Sequence, residues 1–230
     1  MPPSLQPFLP IVLFAGAAVF LLAILLRSVR EGMDTLPKGD TLDDEDLKAT
    51  GLGEGVPAIL REEVGEPAIF EGTGGRTGLA VFPDGAHVYP CLARVRDRLA
   101  GRAIAFMPDD NTAGGVPATI VVLNERDSLD ALDFMGTLGR KDLVPRLRAW
   151  RSRFPLEVAG CGEDWVEIWF RKPPEDEGFY AEAAALAPAA AAESGGAGGF
   201  RTRVEREGLL YLFWEEEEAA AARRGGRTDG

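Results

Sequence analysis

Three carboxylates next to a tryptophan are the residues of this chain with the clearest potential for chemistry. Glu163, Asp164 and Glu167 surround Trp165. A carboxyl group beside an apolar ring can have a raised pKa and act as a general acid or base. Acidic residues are also typical of a solvated turn, and Gly162 precedes this group. The three acids are therefore the candidate catalytic residues, with a solvated turn as the alternative.

Two tryptophans of the same segment form a second candidate site. The alternation of apolar and polar residues from Trp165 to Phe170 predicts a strand in which Trp165, Glu167 and Trp169 share one face. Exposed aromatic rings can bind a ligand, so Trp165 and Trp169 are candidate ligand-binding residues. The alternative is that both rings belong to the core or its edge.

Cysteine and histidine are scarce, which limits metal and nucleophile chemistry. The chain has one histidine, His87, and two cysteines, Cys91 and Cys161, far apart. This composition excludes a four-cysteine zinc site and a His-rich metal shell, and no cofactor is expected. His87 and Cys91 could lie one helical turn apart as a nucleophilic pair, although Cys91 lies near an apolar stripe that favours inert burial. The glycine-rich segment Gly72–Gly78 has no P-loop lysine and indicates a hairpin loop.

The charge balance excludes one class of partner. The 230 residues carry a formal net charge of −12, and no basic stripe offsets it. Because such a chain repels phosphate backbones, nucleic-acid binding is not expected. Hydrophobic residues make up 46% of the chain, which is enough for a packed core.

An apolar segment near the N-terminus predicts a membrane anchor. Phe8 to Leu26 contains no charged residue and, as a helix, would be about 28 Å long, close to the hydrocarbon thickness of a bilayer. The larger lipid-facing candidates are Phe8, Leu13, Phe14, Phe20, Leu21, Leu22, Leu25 and Leu26. A cleaved signal peptide fits less well, because no Lys or Arg precedes the apolar run. A buried core helix also fits less well, because the segment has no polar face.

Basic residues beside this segment predict its orientation. Arg27 and Arg30 directly follow the apolar run, and only the amino terminus is basic before it. The positive-inside rule therefore places the C-terminal side in the cytoplasm, for a single-pass protein of the plasma (inner) membrane. The predicted partners are membrane lipid and a protein.

The remaining pattern predicts an α+β fold with a mixed or mainly antiparallel sheet and packed helices. A stalk at 31–57, in which Thr41 could cap a short helix, precedes a folded part from 58 to 117. The segment 118–214 begins with a continuous apolar strand and contains a β-hairpin around Gly162. A flexible loop is expected at Ser194–Gly199, and a charged tail at 215–230.

The segment from Ala118 to Trp214 resembles the bacterial domain family DUF4253. The resemblance rests on the strand ATIVVLN, on the text from DSLDALDF through FPLEV to DWVEIWF, and on the terminal LLYLFW. It implies an α+β fold and no activity, because the family has none established. The chain has Leu186-Ala187-Pro188-Ala189 where such domains carry a Phe-Cys-Pro-Asp-like segment. In place of the usual helix before the last strand, the loop Ser194–Gly199 and a short segment Arg201–Glu207 are expected.

Three functions remain open from the sequence. The first is a membrane-anchored interaction or accessory domain without catalysis. The second is an enzyme that uses Glu163, Asp164 or Glu167, and the third is a small-molecule sensor that uses the groove beside Trp165 and Trp169.

Overall fold

The computed structural model describes residues 42–83, 87–108, 118–137 and 140–214. Its helices are α1 (Asp44–Thr50), α2 (Gly55–Glu63), α3 (Val88–Leu99), α4 (Asp130–Met135), α5 (Arg140–Arg153), α6 (Glu177–Leu186), α7 (Pro188–Ser194) and α8 (Gly196–Glu207). Its strands are β1 (Ala68–Glu71), β2 (Thr77–Val81), β3 (Ile104–Phe106), β4 (Ile120–Leu123), β5 (Leu156–Cys161), β6 (Trp165–Phe170) and β7 (Leu209–Phe213). A short 3₁₀ helix, Thr73–Gly75, connects β1 to β2.

The strands form two antiparallel sheets that touch at one point. The first sheet has the order β1-β2-β4-β3, and the second has the order β5-β6-β7. Met107 and Gly160 form a parallel bridge between them. There the Met107 N–H donates to the Ala159 carbonyl at 3.0 Å, and the Cys161 N–H donates to the Met107 carbonyl at 2.9 Å. The bridge joins β3 to β5, so the two sheets continue as one layer.

Helices cover both faces of this layer. In β4 every residue is buried, with Val121 and Leu123 in one core cluster and Ile120 and Val122 in the other. The first cluster includes buried residues of α4 to α8, and the second includes those of α2 and α3. A strand buried on both faces has a continuous apolar sequence, which is what ATIVVLN predicted.

The α+β class with antiparallel sheets and packed helices is confirmed. The expected flexible loop at Ser194–Gly199 was wrong, because α7 and α8 occupy it with a break at Gly195, whose φ is +87°. The glycines there end one helix and begin the next. A helix therefore does precede the last strand.

The predicted stalk and anchor have different outcomes. Residues 42–57 are folded: Asp43, not Thr41, caps α1 through the N–H groups of Glu45 and Asp46, and Leu52 is buried. The predicted span Phe8 to Leu26, with Arg27 and Arg30, lies outside the described residues, as does the tail. Among the residues that are described, no helix has the length and apolar character needed to cross a bilayer.

Candidate functional site

The three candidate carboxylates have different environments. Glu163 and Asp164 are exposed in the turn between β5 and β6, whereas only 3% of Glu167 is exposed. As predicted, Glu167 shares a strand face with Trp165 and Trp169, while the alternate residues face the core. The turn thus separates two solvated acids from one buried acid. Their catalytic role stays a prediction.

Glu167 is held by a residue from a distant helix. The hydroxyl of Tyr89, on α3, lies 3.0 Å from both carboxylate oxygens. Burial and the negative charge of Glu167 raise the pKa of Tyr89, so its hydroxyl stays protonated as a donor. This contact links the second sheet to α3 through a tyrosine that is 40% exposed.

An aromatic groove lies beside the turn. It has a volume of about 870 Å³ and is lined by Asp164, Trp165, Glu193, Ser194, Gly199, Thr202, Arg203, Arg206, Glu207, Tyr211 and Phe213. The rings of Trp165 and Tyr211 are 5.7 Å apart, and those of Tyr211 and Phe213 are 5.8 Å apart. We call this surface the aromatic groove. Trp165 forms its floor, because only 7% of the residue is exposed and its ring lies against Gly160 and Gly162.

Charged residues of α8 form the rim of the aromatic groove. The Arg203 guanidinium lies 5.8 Å from the centre of the Tyr211 ring. Arg206 and Arg203 both pair with Glu207, and these hydrogen bonds, the one from Arg206 foremost, lower the pKa of Glu207. The rim therefore combines two arginines with a carboxylate whose charged form they stabilise.

Trp169 does not belong to this groove. Its ring lies 5.7 Å from the guanidinium of Arg96, at the junction between the two sheets. The two candidate ligand-binding tryptophans thus share a strand face but lie in different sites.

The possible Cys–His nucleophile does not form a contact in the structure. His87 is exposed and precedes α3, while Cys91 is buried and accepts a hydrogen bond from Arg94. Cys161 is fully buried, and that burial raises the pKa of its thiol. A buried neutral thiol is a poor nucleophile.

Arg96, with 11% of its side chain exposed, fills the opening between β3 and β5. Arg96 Nε donates to the Ala105 carbonyl at 2.8 Å, and Nη2 donates to the Val158 carbonyl. Burial lowers the pKa of Arg96 to about 10, which still leaves the guanidinium charged at neutral pH. Nη1 lies 3.4 Å from Glu157. Arg96 therefore replaces the ladder hydrogen bonds that are lost where the strands separate.

A second depression, the arginine cleft, opens beside Arg96. It has a volume of about 390 Å³ and is lined by Arg96, Asp97, Ala100, Gly101, Ala103, Ile104, Ala105, Arg126, Asp127, Ser128, Arg151, Leu156, Glu157 and Arg171. Four arginines and three carboxylates among these give it a net charge of +1, although the whole chain has −12. The arginine cleft is thus locally basic.

One wall of the arginine cleft is a polar network. Arg151 Nη1 donates to Asp127 at 2.6 Å, and Nη2 donates to Ser128 Oγ at 3.0 Å. Ser128 Oγ also accepts the Val158 N–H at 3.1 Å. Burial alone would raise the pKa of Asp127, but the hydrogen bonds from Leu129 N–H and Arg151 outweigh it, so the pKa lies below its usual value.

The sequence interpretation did not identify the arginine cleft. In the sequence, the spacing places Arg96 with Arg94 and Arg98 on the polar face of a helix, and Asp127 and Ser128 are residue types typical of helix caps. The available signal was position: Arg96 lies four residues after the buried Leu92 and three before the buried Leu99, so it borders the apolar stripe of α3. Only the strand order brings these residues together with Arg151.

The comparisons with known proteins concern the C-terminal part of the chain. No curated protein and no solved structure shows a significant match. Residues 119–215 match the family model described as "Domain of unknown function (DUF4253)". This match confirms the resemblance at the predicted position, and we call residues 119–215 the DUF4253 region after the model that they match.

Proposed function

We propose that the chain is a single-pass protein of the plasma (inner) membrane whose cytoplasmic domain binds a protein partner and does not act as an enzyme. The anchor is supported by the uncharged run Phe8 to Leu26, and the orientation by Arg27 and Arg30. Membrane lipid is the first partner, through that segment.

The observation that carries partner binding is the aromatic groove. Tyr211 and Phe213 are half-buried at its edge, and Arg203 and Arg206 lie beside them. Aromatic and arginine side chains are enriched in protein interfaces and in their energetic centres. The groove combines these residue types on one accessible surface.

The placement of the acids argues against the enzyme alternative. Glu167 is engaged by Tyr89, and Glu163 and Asp164 lie in solvent, so the three do not share a water-excluded pocket. An acid–base pair needs both groups close to the same reacting atom.

A small-molecule sensor is the second candidate function. The aromatic groove, at about 870 Å³, lies within the size range of roughly 300–1,000 Å³ that is common for ligand pockets. A saturating ligand that raises the melting temperature of wild type, and fails to do so after Tyr211→Ala, would favour this function.

The anchor is tested by fractionation and labelling. The full-length chain is expected to stay in the membrane pellet after a carbonate wash. Cys91 and Cys161 are buried, so Ser152→Cys supplies an exposed thiol on α5 for labelling. An impermeant reagent is expected to label it only after lysis. Release into the wash would overturn the anchor, and labelling in intact cells would overturn the orientation.

The partner is tested by capture after mild detergent extraction. Wild type and Lys172→Glu are expected to recover the same protein, and Arg206→Glu to lose it. The two side chains are similarly exposed, at 70% and 75%, but only Arg206 lines the aromatic groove. Recovery of the same protein by Arg206→Glu, or of nothing above background by wild type, would contradict the proposal.

A further inference from the structure

The arginine cleft has more hydrogen-bond donors than acceptors. Ser128 Oγ already accepts from Val158 N–H and Arg151 Nη2, so both of its lone pairs are engaged. Its own O–H must then donate, and within the described residues it has no acceptor. Arg151 Nε is also without a partner among the described residues, but it is buried, so the donors that Arg151 offers to the cleft are the second N–H groups of Nη1 and Nη2. A wall with unused donors is complementary to an acceptor.

Arg126 adds an unused positive charge to this wall. Its side chain is exposed at the mouth of the arginine cleft and forms no ion pair with the described residues. The neighbouring carboxylates are engaged: Asp127 pairs with Arg151, and Glu157 lies between Arg96 and Arg171. Glu157 thus serves two guanidiniums, which leaves a positive charge uncompensated. The third carboxylate of the arginine cleft, Asp97, is exposed on α3 and offsets one positive charge, so the net charge is +1.

We propose that the arginine cleft binds the phosphate group of a small molecule through Arg126, Arg151 and the hydroxyl of Ser128. A phosphate group has several acceptor oxygens and a charge between −1 and −2, which matches three donor side chains and the surplus positive charge. A carboxylate has only two oxygens and one charge, so it uses fewer of these donors. The volume of about 390 Å³ leaves space for the rest of a small ligand.

Strand β5 holds donor side chains of the arginine cleft in position. Ser128 is held by the N–H of Val158 on β5, and Val158 also accepts from Arg96 through its carbonyl. Ser128 and Arg151 are therefore fixed in place before a ligand arrives, which reduces the ordering cost of binding. The proposal does not depend on the membrane anchor or on the aromatic groove.

The test is a phosphate titration of the full-length chain in detergent. Thermal unfolding is followed by tryptophan fluorescence at neutral pH, with sodium chloride keeping the ionic strength constant. The melting temperature is expected to rise and saturate with inorganic phosphate, with a dissociation constant on the order of 1 mM. Acetate at equal ionic strength is expected to give a smaller rise.

Arg126→Ala is the decisive variant, because this side chain has no described contact that its loss would break. It is expected to weaken phosphate binding about tenfold. Arg146→Ala is the matched control. Arg146 is an exposed arginine of α5, the helix that also contains Arg151, but it does not line the arginine cleft. Its affinity is expected to equal that of wild type. No rise with phosphate, an equal rise with acetate, or equal losses in both variants would overturn the proposal.

Discussion

The aromatic groove and the arginine cleft differ in how the chain builds them. All lining residues of the aromatic groove lie between Asp164 and Phe213, inside the DUF4253 region. The arginine cleft instead combines residues 96–105, which precede that region, with residues 126–171, which belong to it. The first site is local to one sheet, whereas the second exists only where two parts of the chain meet. The boundary of a family match therefore need not be the boundary of a functional site.

The strand order shows the same contrast. β4 belongs to the DUF4253 region but pairs with β2 on one side and β3 on the other, and both of these strands precede it. The strands β5, β6 and β7, in contrast, pair with one another inside the region, and of their described backbone pairings only the bridge to Met107 crosses its boundary. One sheet is thus complete in the matched segment, and the other is not.

Removing the preceding strands is the largest test of this contrast. A fragment of residues 119–214 loses both neighbours of β4 and the helices that cover one face of the layer. We expect the fragment to lack cooperative thermal unfolding. The backbone groups of β4 would have no strand to pair with, and one apolar face of the layer would be exposed to water, and both effects destabilise the folded state. Near-UV circular dichroism is the measurement. The control is residues 42–214, which are expected to melt cooperatively. A cooperative transition in the shorter fragment would show that β4 does not need β2 and β3 for a stable fold.

The next largest effect is expected from Arg96, which joins the two parts of the arginine cleft. Arg96→Met leaves the Ala105 and Val158 carbonyls without their guanidinium donor. We expect a loss of about 3 kcal/mol in the free energy of unfolding, because buried acceptors lose their partner and Glu157 loses a cation. In a thermal melt this corresponds to a decrease of roughly 10 °C.

Arg171→Ala is the matched control for Arg96→Met. Arg171 pairs with the same Glu157 at 3.0 Å, but 77% of its side chain is exposed. Exposed ion pairs contribute at most about 1 kcal/mol, so this variant is expected to melt close to wild type. Similar losses in both variants would show that charge alone, and not the bridging of β3 to β5, stabilises the junction.

A smaller effect is expected at the floor of the aromatic groove. A Cβ atom at Gly162 would lie 2.2 Å from Trp165 Nε1, so Gly162→Ala must displace the indole. We expect a loss of about 2 kcal/mol, the usual cost of overpacking. The control is Gly53→Ala, where a Cβ atom meets nothing within 4 Å. Equal melting temperatures of the two variants would mean that Trp165 moves freely and does not form a rigid floor.

Local patterns predicted the elements well but not their arrangement. The alternation in Trp165–Phe170 predicted the correct strand, and the apolar residues of Val88–Leu99 have the helical spacing of the helix found there. Both patterns arise from burial of one face. The glycines around Gly195 were interpreted as a flexible loop, although the same residues can end one helix and begin another. Local chemistry leaves these two outcomes open, and tertiary packing decides between them.

The sites were predictable only where they are local. The turn acids and Trp165 are close in sequence and near the aromatic groove, so the pattern located that region. The arginine cleft depends on the bridge between Met107 and Gly160, a pairing that no local pattern specifies. Arg96 illustrates the limit: its sequence neighbours indicate a solvated helix face, and only the separation of β3 and β5 explains its burial.

The smallest effect concerns Tyr89, which joins α3 to the sheet of the aromatic groove. Tyr89→Phe removes the donor to buried Glu167, and we expect a loss of about 1 kcal/mol at neutral pH. The same contact predicts a pH dependence. Burial and Glu167 raise the pKa of Tyr89 above its ordinary value of 10, so the folded state keeps the proton longer than the unfolded state does. The contribution is complete below pH 10 and is lost as the pH rises further.

Comparison of wild type with Tyr89→Phe separates the contribution of Tyr89 to the pH dependence of stability from that of Cys161. Burial raises the pKa of the Cys161 thiol as well, so the free energy of unfolding also decreases above pH 9, both in wild type and in Tyr89→Phe. Wild type is therefore expected to lose stability more steeply than Tyr89→Phe above pH 10, as measured by thermal melts across the alkaline range. Parallel curves would show that the Tyr89 hydroxyl titrates as it does in water. The bond to Glu167 would then not tie α3 to the second sheet, and the aromatic groove would depend on its own sheet alone.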